Sequence, residues 1–228
     1  MTTKIWGNPE KAKVLVIGHD PGLQRSPTIA NYCFFADYYF QPKPSSSSEL
    51  SKYKLAESLF NCIRDLTAGQ FSDDKILIIN LCNETLVPSP KGRTNYITRE
   101  KAEDGLRTIR NLLEESKVKL IFAMSQQVNY WLQQLGFYDT DTQFLQMSEP
   151  KEIGTYNKQP YYQPKKTGAF KEICGNKYMA DNQYYLFPIL HIKSYPPKGN
   201  FLTYKENYTN CITEVEALIN SLKARNEL

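Results

Sequence analysis

Val14-Leu15-Val16-Ile17-Gly18 runs without a break into His19-Asp20-Pro21-Gly22. Four aliphatic residues in a row, closed by a glycine and a turn, read as a strand buried on both faces. Three further runs have the same character. Ile76 to Ile79 ends at Asn80, Val118 to Met124 stops at Ser125, and Leu186 to Leu190 ends at His191. Helical spacing fills the gaps. Ala56, Leu59, Phe60, Ile63 and Leu66 recur on one face of a helix expected over about 49–67, with Ser48 as its cap and Gly69 as its stop. Thr98 is placed to cap a helix over about 99–116, and Ser125 to cap a helix that Gly136 ends. A last helix is expected over about 204–225. Residues 139–182 show no clear period. That is long for a loop, so the segment is functional, partly disordered, or conceals a hairpin. Strands alternating with helices predict right-handed βαβ units, and continuous apolar strands require helices on both sheet faces. The expectation is one domain over residues 1–228. It is an α/β fold, a three-layer α/β/α sandwich around a mainly parallel four-stranded sheet.

Composition narrows the function classes. The chain has 228 residues, 41% hydrophobic and 23% charged, as in ordinary globular proteins. No apolar run reaches the length of a membrane span, and the N-terminus lacks the basic-then-apolar pattern of a leader. A cytoplasmic chain with no membrane partner is expected. The five cysteines are scattered and include no C-x-x-C pair, against a disulfide scaffold, a zinc ribbon or an iron–sulfur loop. Only two histidines are present, which disfavours a histidine-based metal site. Neither phosphate-cradling glycine motif occurs. The net charge of +4 is unevenly spread. From Lys151 to Lys198, eight lysines face three acids, with tyrosines interleaved. That pattern suits a nucleic-acid surface, but charge alone favours a solvated lysine-rich loop.

In open α/β sheets, ligands bind beyond the carboxyl ends of the strands. Asp20, Asn80 and His191 each follow a buried strand, and so compose a candidate site. The same residues carry a resemblance. Val14 to Gly22 resembles the first motif of the uracil-DNA glycosylase superfamily, written G-Q-D-P-Y in one branch and G-M-N-P-G in the single-strand-selective branch. Ile78-Ile79-Asn80 resembles the strand whose Asn reads uracil. His191-Ile192-Lys193-Ser194 resembles, more loosely, the second motif H-P-S. Cys33-Phe34-Phe35 falls where that family places its base-stacking Phe. The order of elements from Asn80 to Phe137 is also similar. The resemblance spans roughly residues 12–138 and 184–205.

What the resemblance implies is a monofunctional DNA glycosylase hydrolysing the N-glycosidic bond of uracil or a related damaged base. Asp20 would stabilise the sugar cation and position water, and His191 would donate to the departing base. Asn80 would pair with the base edge, and Phe34 or Phe35 would stack on the flipped base. Gly22 stands where one branch carries a Tyr that blocks 5-methyl groups, which implies a roomier pocket. Ser125, Lys193, Ser194, Tyr195 and Lys198 would meet DNA, with Tyr195-Pro196-Pro197 in the place of the inserted wedge. No cofactor and no metal are implied, and a monomer is expected. Ile192 replaces the motif's Pro. That departure keeps a second reading open, a protein of the same fold that binds nucleic acid or protein without cleaving. A third reading is an α/β enzyme acting on free nucleosides or nucleotides, which the missing phosphate motifs disfavour.

Overall fold

All five residues of β1 (Val14–Gly18) are buried, and β1 is the axis on which the sheet is built. The structure is a computed structural model, and it describes residues 5–19, 32–82, 84, 96–139, 146–147, 151–156, 159–163, 166–167 and 170–228. After β1 come a 3-10 stretch (Cys33–Phe40), α1 (Ser47–Leu66), β2 (Ile76–Asn80), α2 (Arg99–Glu114), β3 (Leu120–Met124) and α3 (Gln126–Gln134). Then follow β4 (Gln146–Met147), β5 (Lys151–Tyr156), β6 (Gln159–Gln163), β7 (Lys166–Thr167) and α4 (Phe170–Ile173). The chain closes with β8 (Tyr178–Ala180), β9 (Tyr184–Ile189) and α5 (Lys205–Ala224).

The main sheet has five strands in the order β2-β1-β3-β9-β8. Four are parallel, and β8 runs antiparallel to β9 at the edge. Residue alternation along each strand feeds two cores. Val14, Val16, Ile76, Ile78, Phe122 and Phe187 pack against α1 and α5. Leu15, Ile17, Leu77, Ile79, Ile121 and Leu186 pack against α2 and α3. The result is a three-layer α/β/α sandwich. The chain winds from β1 outward to β2, then returns across β1 to β3. This reversal puts the topological switch point at the carboxyl ends of β1 and β3. Both sheet edges are covered: Trp6 exchanges backbone hydrogen bonds with Ile78 at 3.0 and 2.9 Å, and Tyr138 bridges Ala180. Such cover blunts edge-to-edge association.

The sheet has one strand more than expected. β8 is three residues long and partly exposed, so it carries neither a continuous apolar run nor a readable alternation. The aperiodic stretch holds a nested antiparallel ribbon, β5 on β6 inside β4 on β7, with a bulge between Glu152 and Gly154. Thr98 and Ser125 cap α2 and α3 as expected, accepting from Lys101 N–H and Val128 N–H, each at 3.4 Å. Ser48 instead lies inside α1, whose N-cap is Ser46. Among the described residues, no helix is long and apolar enough to cross a membrane.

Candidate active site at the carboxyl edge of the sheet

Asn80 is the last residue of β2 and sits directly across from Gly18 at the end of β1. It is only 1% exposed, and its Nδ2 has no hydrogen-bond partner among the described residues. A buried amide donor left unpaired costs about 1–3 kcal/mol. Gly18 explains how the amide fits. A Cβ there would lie 2.4 Å from Asn80 Oδ1, and 2.4 and 2.5 Å from Cε2 and Cζ of Phe34. Only glycine lets a carboxamide and an aromatic ring meet over the same Cα.

The 3-10 stretch delivers that ring. Phe34 (φ 55°, ψ 20°) and Phe35 (φ 54°, ψ 38°) are consecutive left-handed residues, a conformation that costs roughly 1–3 kcal/mol each. Cys33 and Ala36, both fully buried, fasten the stretch to the core on either side of them. Burial pushes the Cys33 thiol up to about 12, against a smaller opposing effect of the Asn80 backbone, so the sulfur is an inert filler beside β2. The Phe34 ring lies 5.9 Å from the His191 ring, tilted by 47°. Phe35 turns elsewhere, to an edge contact with Tyr38 at 6.1 Å and to Lys52 Nζ at 5.5 Å. The backbone kink therefore separates two neighbouring phenylalanines, and Phe34 is the one beside Asn80 and His191.

His191 is half-buried and caps a one-turn 3-10 helix, Ile192–Ser194. Its Nδ1 accepts from Lys193 N–H at 3.2 Å. A neutral imidazole that accepts at Nδ1 carries its proton at Nε2, which makes Nε2 the donor. Ile192, which stands where the motif has Pro, is 1% exposed and packs into the α1/α5 core. Ile192 thus anchors the histidine's turn to the core.

Of the other expected site residues, Asp20 and Gly22 lie outside the described residues. The described chain reaches His19, 4% exposed, whose carbonyl accepts from Cys82 N–H at 3.0 Å. Ser125 ends β3 at φ 84°, ψ 153°, a region that belongs to glycine. Asn129 holds it there, donating from Nδ2 to the carbonyls of Ala123 and Ser125 at 2.9 and 2.8 Å. Lys193 and Lys198 are exposed and Ser194 is half-buried. Tyr195 faces inward. Its hydroxyl donates to Asp65 on α1, and its ring packs 5.5 Å from Tyr208 on α5. The exposed apolar residues after His191 are instead Phe201 (39%) and Leu202 (58%), on a 3-10 helix, Gly199–Tyr204.

The bracing Asn129 escaped the sequence reading, and Gly18 was read only as part of the turn that closes β1. The signal for Asn129 was a polar residue among inward positions of α3; for Gly18, no signal distinguishes a strand-end glycine from a turn glycine. A cleft of about 660 Å³ opens at the opposite, amino edge, lined by Lys13, Lys117, Lys119 and Tyr184 among others. It is remote from the strand ends that carry Asn80 and His191, and its Arg110 is already paired with Asp181 at 2.8 Å. No protein-family model matches the chain, and no curated protein matches it in sequence.

Proposed function

We propose that the chain is a monofunctional DNA glycosylase, hydrolysing the bond between deoxyribose and uracil or a related damaged base. The observation that supports this reading is the buried Asn80 carboxamide, its Nδ2 without a partner among the described residues, which meets Phe34 over Gly18, while the Phe34 ring lies 5.9 Å from the His191 ring. A carboxamide offers a donor and an acceptor together, matching the O4 and N3–H edge of uracil. Phe34 supplies a face for a base taken out of the stack. As the C1′–N1 bond breaks, its electron pair leaves with the base. His191 Nε2–H donates to the oxygen where that charge gathers. Asp20 stabilises the sugar cation and orients the water that adds at C1′. By the resemblance, Gly22 stands where one branch carries a blocking Tyr, so 5-hydroxymethyluracil is expected as a substrate as well.

Lys193 and Lys198 meet phosphates, and the exposed Phe201–Leu202 pair takes the wedge position first assigned to Tyr195–Pro197. Buried, unbridged thiols suit a reducing cytoplasm, and a monomer is sufficient for the site.

The test uses uracil-containing oligonucleotides, followed by alkali. Wild type is expected to give scission at uracil. His191→Ala is expected to slow it about 100- to 1000-fold while DNA affinity holds. Tight binding without any scission by wild type would replace this reading with that of a non-cleaving nucleic-acid binder.

A further inference from the structure

The turn that carries His191 is too short to hold itself. Its own hydrogen bonds are Ser194 N–H to His191 O at 2.8 Å and Tyr195 N–H to Ile192 O at 3.0 Å. The contact at which Nδ1 accepts, from Lys193 N–H, is 3.2 Å, at the long end of the normal range. Among the described residues, two anchors hold the turn from outside. One is Ile192, buried in the core. The other is Tyr195, whose hydroxyl donates to the Asp65 carboxylate while its ring rests on Tyr208. Burial and the bond to Asp65 both raise the Tyr195 pKa, so the phenol stays protonated and remains the donor.

Asp65 is an odd choice for α1. It lies in the last turn of the helix, where the macrodipole favours a cation and disfavours a carboxylate. Helix stability gives no reason for an acid there; the tyrosine does. We propose that Tyr195 and Asp65 are positioning residues that clamp the His191 turn to α1 and thereby hold the imidazole with Nδ1 accepting and Nε2 donating. The clamp deepens the glycosylase reading, and its catalytic consequence rests on that reading; its structural consequence does not.

The experiment therefore has two arms. With only two histidines in the chain, a His191→Gln control assigns the imidazole signals in a long-range proton–nitrogen NMR spectrum. Wild type at a pH where His191 is neutral is expected to show one tautomer, protonated at Nε2, and a Lys193 amide protected from exchange. Tyr195→Phe and Asp65→Leu are both expected to mix the tautomers and speed Lys193 exchange about tenfold, Tyr195→Phe with α1 amides unaffected. Asp65→Asn keeps an acceptor and is expected to behave as wild type. In the second arm, Tyr195→Phe is expected to slow single-turnover uracil excision about 10- to 100-fold at unchanged DNA affinity. Unchanged His191 signals and Lys193 exchange in a folded Tyr195→Phe protein would overturn the clamp. A wild type that excises no base would overturn the function and leave the NMR arm to decide the clamp.

Discussion

Asn80 holds a polar group in a place where an apolar one would be more stable. Its amide is buried, and Nδ2 meets no hydrogen-bond partner among the described residues. Replacing it by Leu, of similar shape, removes that penalty and is expected to raise stability by about 1 kcal/mol or more in urea unfolding. The same substitution is expected to abolish uracil excision. Destabilisation by Asn80→Leu would mean the amide is structural. At this scale the sequence was legible where a polar residue closes an apolar run, as Asn80 and His191 do at their strand ends. It was illegible where backbone geometry decides. Phe34 and Phe35 are chemically equal and adjacent. Only their paired left-handed conformation, fixed by Cys33 and Ala36 in the core, sends one ring to Gly18 and the other to Lys52.

At the scale of elements, Ser125 joins β3 to α3 under two opposed demands. Its hydroxyl accepts from Val128 N–H, which favours Ser, while its φ of 84° favours Gly. Ser125→Ala loses the cap and keeps the strain, so it is expected to cost about 1 kcal/mol. Ser125→Gly loses the cap but relieves the backbone and is expected to stay near wild type. Calorimetry orders them: Ala melting below both Gly and wild type. An Ala variant as stable as the Gly variant would remove the strain from the account. The caps of α2 and α3 were readable because a single Ser or Thr precedes each apolar pattern. The start of α1 was not, because four serines run from 45 to 48 and any could serve; Ser46 takes the N-cap position, its hydroxyl donating to the Glu49 carboxylate at 3.0 Å rather than capping the backbone. β8 was hidden because an edge strand of three residues pairs through backbone, leaving little mark on side-chain choice.

Two buried cores and a net charge of +4 set the properties of the whole molecule. All five thiols are buried, and burial raises Cys33 and Cys174 to about 12. The thiolate is the reactive form, so below that pH both lack it as well as access. A chromogenic aromatic disulfide is expected to titrate fewer than one thiol in the native protein and all five in urea. Rapid native reaction would show an open core. The lysines make a second claim. DNA binding is expected to weaken steeply with salt, and changing both Lys193 and Lys198 to Gln is expected to flatten the logarithmic slope by roughly one unit per lysine. An unchanged slope would move the DNA track to the lysines of 151–171. The central claim, that the strand-end site breaks a glycosidic bond, has a more direct test. Wild type is incubated with uracil-containing single- and double-stranded DNA, and the free base is quantified by mass spectrometry. Free uracil is expected, one per site, with the backbone intact until alkali is added, and Asp20→Asn is expected to suppress it without weakening binding. DNA bound at full occupancy with no uracil released would contradict the account.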